Sequence, residues 1–122
     1  MLKKFLLTAL IFFAAASTAL AFSRDVKIVN ETGKNITHIY LSTIALEDWQ
    51  EIPELAGEIL RAEESIDIYV DPQNFRPNPI VRYFDLRADF EDGGSEVWLG
   101  LDLFNLAEVT LKRGEHSVTY EN

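Results

Sequence analysis

In the stretch RYFDLRADF, Arg82 to Phe90, Asp85 and Arg87 stand two residues apart beside an alternating apolar series. A carboxylate and a guanidinium at i and i+2 of a strand point the same way. Such a pair can fix strand register as an ion pair, or line a groove that recognises a polar ligand. The next stretch, DFEDGGSE, holds Asp89, Glu91 and Asp92. Carboxylates are the hard oxygen ligands that calcium takes, and Asp71 or Asp102 can join from another loop. The spacing is not the regular one of a calcium-binding loop, and acidic hairpin tips are commonly solvated. Trp49 and Trp98 are either core residues or an exposed platform for a sugar or a peptide.

Catalytic constellations are harder to find. The chain has no cysteine and two histidines, His38 and His116, too few for the three or four convergent ligands of a zinc site. It has no G-x-S-x-G elbow, and its six glycines are scattered among turns rather than gathered in a phosphate-cradling loop. His38, between Ile36 and Tyr40, reads as a partly buried, hydrogen-bonded strand residue. Asn30, Thr32 and Asn35 suit a strand-turn-strand, because their side chains satisfy loose backbone groups. No enzyme is expected.

The elements that must position these residues are short strands. DVKIVN places Val26 and Ile28 on one face, and SIDIYV alternates with Ile66, Ile68 and Val70 inward. NITHIYLST sets Ile36, His38, Tyr40 and Ser42 against Thr37, Ile39 and Leu41. IVRYFDLRADF puts Ile80, Phe84, Leu86, Ala88 and Phe90 on one face, broken by Arg82. SEVWLGL, EVTLKR and HSVTY continue the pattern. The turns agree: EDGG offers the Asp-Gly of a tight hairpin, while RGE and TGK carry one Gly each. DPQNFRPNP, Asp71 to Pro79, holds three of the four prolines and cannot be a strand interior. Only LEDWQEIPELAGEIL, Leu46 to Leu60, suggests a helix: Leu46, Trp49 and Ile52 recur every three residues, giving one or two turns before Pro53. About seven strands with one helical or looped insertion predict an all-β, antiparallel two-sheet β-sandwich.

The first 21 residues read as a signal peptide. Lys3 and Lys4 precede an apolar run, and Ala19 and Ala21 form the small-residue site of a signal peptidase before Phe22. The expected organisation is a leader, 1–21, followed by one domain, 22–122. Two lysines leave with the leader, so the remaining 101 residues carry 9 basic against 20 acidic side chains, a net charge of −11. That surface repels nucleic acid and anionic lipid and draws in cations or basic proteins. Without cysteine the chain has no disulfide and no lipid-modified N-terminal Cys, so a core of about 100 residues must hold it. The expected location is the periplasm or the outside of the cell.

The order VNETG, IYLS, Trp49, RYFDLRADFEDG, LDL and EVTL resembles a group of small exported bacterial β-sandwich proteins of unknown function. Their pattern is an N-x-T-G turn, a Trp, a D-[LI]-R strand, an acidic D-G hairpin and a D-L segment, and it covers nearly all of 22–122. The resemblance implies a β-sandwich and marks Trp49, Asp85, Arg87 and Asp102 as positions of interest. The chain departs from the group where members carry a pair of cysteines: here those places are Arg82 and Phe104.

These readings converge on a soluble, exported, acidic, non-catalytic binding module that engages a cationic protein or an envelope component and needs no cofactor. The alternative is a calcium-dependent ligand-binding domain using Asp89, Glu91 and Asp92 at one end of the sandwich.

Overall fold

The computed structural model describes residues 24–71, 83–103 and 106–120. The expected leader (1–21), most of the proline-rich stretch, and the positions of Arg82 and Phe104 lie outside the described residues. Eight strands follow in order: β1 (Arg24–Asn30), β2 (Ile36–Thr43), β3 (Gln50–Glu51), β4 (Ser65–Val70), β5 (Tyr83–Phe90), β6 (Ser95–Asp102), β7 (Leu106–Lys112) and β8 (Glu115–Tyr120). They form two four-stranded sheets, one ordered β4-β1-β7-β8 and the other β3-β2-β5-β6. The pairings are antiparallel except for β1 and β7, which run parallel from Lys27 beside Glu108 to Asn30 beside Leu111. The chain is thus the two-sheet β-sandwich expected, with one parallel pair added.

The core lies between the sheets, where period-2 alternation delivers one face of every long strand. Val26, Ile28 and Ile68 meet Ile39, Leu41, Phe84 and Leu86, all 2 % exposed or less. Trp98 also packs inward, and its indole Nε1–H donates to the Lys112 carbonyl at 2.9 Å, tying β6 to the end of β7. Trp98 is therefore core rather than platform.

The turns form where Gly and Asx residues stand. Gly93 (φ 96°) closes the β5–β6 hairpin, with Phe90 N–H donating to Gly94 O at 2.8 Å, and Gly114 (φ 77°) turns β7 into β8. Asn30 is fully buried at the end of β1. Its Nδ2 lies within 2.8–3.1 Å of the carbonyls of Lys34, Leu60 and Arg61, and its Oδ1 accepts from the N–H and hydroxyl of Thr32. The polar cluster of this stretch is architecture, as the residue types implied.

One open alternative is decided and one expectation is corrected. Of the helical and looped forms of the insertion the chain takes the looped one, and no helix forms before Pro53. Ala45 and Glu47 take positive φ (65° and 53°), which a right-handed helix does not allow, and Gln50 and Glu51 pair with Leu41 and Tyr40 as β3. A single 3₁₀ turn, Pro53–Leu55, follows instead, with proline in its first turn. The correction concerns β2. A register shift between Ile36 and His38 adds a residue at Thr37, so Ile36 turns inward with Ile39 and Leu41. His38, Tyr40 and Ser42 keep the outer face. His38 is exposed rather than partly buried, and its Nδ1 lies 2.8 Å from Glu51 Oε2.

Candidate functional site

Opposite the core, the outer face of the β3-β2-β5-β6 sheet carries several of the candidate site residues. Alternation on β5 sends Phe84, Leu86, Ala88 and Phe90 inward, so Asp85, Arg87 and Asp89 project outward. A groove of about 830 Å³ lies on this face. Its floor holds Asp85, Arg87, Val97 and Leu99, and the loop from Ile44 to Trp49 forms its wall.

Asp85 organises that shape. Its side chain is 2 % exposed, although it points away from the core. Oδ2 accepts from Ala45 N–H at 2.9 Å, and Oδ1 accepts from Gly100 N–H at 3.0 Å. A carboxylate without such donors would be costly to bury, and here backbone dipoles replace the lost water. One bond draws in the 44–49 loop, and the other draws in β6. β6 bulges at that point: Phe84 faces Leu101 and Leu86 faces Trp98, so Leu99 and Gly100 together oppose Asp85. Gly100 takes φ 69°, a left-handed conformation in which a side chain is strained. A second anchor holds the loop, since Ser42 Oγ accepts from Asp48 N–H at 2.9 Å.

Arg87 does not pair with Asp85. Its Nε donates to Asp89 Oδ1 at 3.0 Å, and its guanidinium lies 5.4 Å from the centre of the Tyr40 ring. Partial burial and the charge of Asp89 push the Tyr40 phenol above its ordinary value, so it stays neutral beside this pair at physiological pH.

Of the four positions marked by resemblance, Trp49, Asp85 and Arg87 meet at the groove. Asp102 does not: it sits opposite Tyr83, past the bulge. The carboxylates nominated for calcium go to separate partners. Asp89 holds Arg87, Glu91 Oε1 accepts from Asn35 Nδ2 at 2.9 Å, and Asp92 Oδ2 lies 2.8 Å from Lys34 Nζ. Lys34, together with the Gly94 N–H that donates to Asp92 Oδ1, holds the Asp92 carboxyl below its ordinary value. Among the described residues, no three His, Asp or Glu side chains gather as metal ligands.

Sequence reasoning missed the aliphatic part of the groove. Ile44, Val97 and Leu99 are exposed, Leu99 by 67 %. In SEVWLGL the apolar residues Val97, Trp98 and Leu99 are consecutive, so alternation could not assign the inward one.

The fold is that of a two-sheet β-sandwich, with an open groove on the outer face of one sheet. No protein-family model matches the chain, and no curated protein matches it. An NMR structure of a protein from Eubacterium rectale is similar in fold, with 15 % identity over 82 % of this chain and 89 % of that one and a TM-score of 0.50.

Proposed function

We propose that the protein is an exported, non-catalytic binding module that captures a cationic protein partner in the groove bounded by the Ile44–Trp49 loop and β6. The observation that carries this reading is the convergence of Trp49 and Arg87 with the exposed aliphatic side chains of Ile44, Val97 and Leu99 on one concavity. Apolar surface rimmed by polar residues is the usual composition of a binding patch. The buried carboxylate beneath it is engaged by backbone N–H groups, which suits it to hold shape rather than to transfer protons.

The choice of partner rests on charge. The chain carries a net charge of −9, and −11 once the expected leader is removed. Glu47 lines the groove and the neighbouring Asp48 is exposed, while the guanidinium of Arg87 is already paired with Asp89. Such a surface steers basic partners, and the attraction weakens as salt screens it. Export rests on the leader pattern and on the resemblance to small exported β-sandwich proteins.

Trp49 provides the test. Titration with a basic, apolar peptide should shift the Trp49 indole resonance and leave that of the core residue Trp98 in place. The affinity should fall as ionic strength rises. Binding that ignores salt would overturn the cationic partner, and a response confined to residues outside the groove would overturn the site.

A further inference from the structure

The groove is bordered by an edge strand. β6 ends the sheet order β3-β2-β5-β6, and among the described residues no strand pairs along its outer side. The other edges differ. β3 is two residues long, and β4 has the Tyr69 N–H taken by Glu54 Oε2 at 2.8 Å. β8 is also a long edge, but it belongs to the sheet without the groove. Natural edge strands are commonly blunted by lysine, proline or a bulge; SEVWLGLD contains neither lysine nor proline, and its bulge at Leu99 and Gly100 lies beyond Ser95–Trp98.

The phase of the β6 backbone follows from its hairpin. Phe90 N–H donates to Gly94 O, and the register then sets Asp89 opposite Ser95, Ala88 opposite Glu96 and Arg87 opposite Val97. In an antiparallel ladder, alternate residues turn both backbone groups toward the partner strand and the others turn both away. Glu96 and Trp98 therefore bond to β5, while the N–H and C=O of Ser95 and Val97 face the open side. The side chains of Ser95 and Val97 line the groove. One short run thus presents free ladder positions and the groove's apolar edge together.

We infer that the groove is filled by strand addition: an extended partner segment pairs with β6 at Ser95 and Val97 and lays alternate aliphatic side chains beside Val97 and Leu99. This deepens the reading of the groove as a binding site for a cationic partner and rests on it. The partner's remaining side chains are basic, because β6 offers no cation, Glu47 lines the groove across from it, and the chain as a whole carries a net charge of −9. Main-chain hydrogen bonds supply affinity in this mode, and side-chain pockets supply selectivity. The bulge at Leu99 and Gly100 ends the pairing, so the docked segment is short. A second copy of this chain is disfavoured as occupant by its own negative charge.

The test uses a short soluble peptide of alternating Lys and Val, with two relatives N-methylated on one or the other alternate set of amides. In the free protein, amide hydrogens of Ser95 and Val97 should exchange quickly and those of Glu96 and Trp98 slowly. Adding the peptide should slow exchange at Ser95 and Val97. One methylated relative should bind roughly tenfold or more weakly, through the lost ladder bonds, and the other as well as the parent. Groove resonances that shift without protection at Ser95 and Val97, or two methylated peptides that bind like the parent, would overturn strand addition and leave groove binding intact. No response in the groove at low salt would overturn both readings. A dimer of the protein with β6 protected in the absence of peptide would overturn the choice of occupant.

Discussion

Asn30 and Asp85 are both buried polar side chains that hold loops through backbone groups, yet they serve different ends. Asn30 faces the interior at the end of β1 and both donates and accepts, gathering residues 32–34 and 60–61 into a closed knot. Asp85 lies on the outer face of its sheet and only accepts, from Ala45 and Gly100, the two sides of an open groove. An amide that uses both halves of its hydrogen-bonding capacity can complete a turn with nothing left over. A carboxylate offers only acceptors, so it must recruit donors from separate segments, and here that brings loop and bulge together. One residue finishes the fold; the other shapes a surface.

The largest effect should separate them by stability. Replacing Asn30 with Asp sets a carboxylate against three carbonyl oxygens in a buried site, a loss of about 4 kcal/mol. Urea unfolding should show this, and the variant should keep a native Trp49 indole resonance under conditions where it remains folded. A displaced Trp49 signal would mean that the two hubs are coupled.

Asp85→Ala should cost less, about 2 kcal/mol, because two N–H groups near the surface lose a partner. Its distinguishing mark is local: the Trp49 resonance and the amides of Ala45 and Gly100 should shift, while those around Thr32 stay in place. If Asp85→Ala leaves the groove signals unchanged, the bulge and loop hold themselves and Asp85 is incidental.

The smallest effect concerns the surface Lys34–Asp92 side-chain pair, which links the Asn30 turn to the tip of the β5–β6 hairpin. Asp92 is depressed in the folded state, so its contribution is present above the ordinary carboxylate value and is lost as pH falls through the depressed one. In Lys34→Gln the carboxyl midpoint of Asp92, followed by NMR, should rise toward the ordinary value. Groove resonances should not move with it.

Much of this arrangement was legible in the residues. Alternation in β5 separated Phe84, Leu86 and Phe90 from Asp85 and Arg87, and Gly93 and Gly114 marked two hairpins. Trp49 had no visible neighbour, since the loop carrying it reaches the groove through a bond between residues 40 apart in sequence. The periodicity from Leu46 to Ile52 imitated a helix because three-residue spacing over so short a run does not distinguish a helix from a curled loop and a strand. The bulges at Thr37 and at Leu99–Gly100 were hidden because they change which face a residue takes without changing its type.

The parallel contact of β1 with β7 has a consequence for the order of events as the chain is made. Lys27 meets Glu108 across almost the whole length of the domain, so the inner flank of β1 stays bare until β7 has emerged. Pairings between such distant segments form late and set the pace of folding. The β1–β4 pairing is complete in sequence by Val70 and the second sheet by Asp102, so β7 arrives as the last seam, closing the free flank of β1.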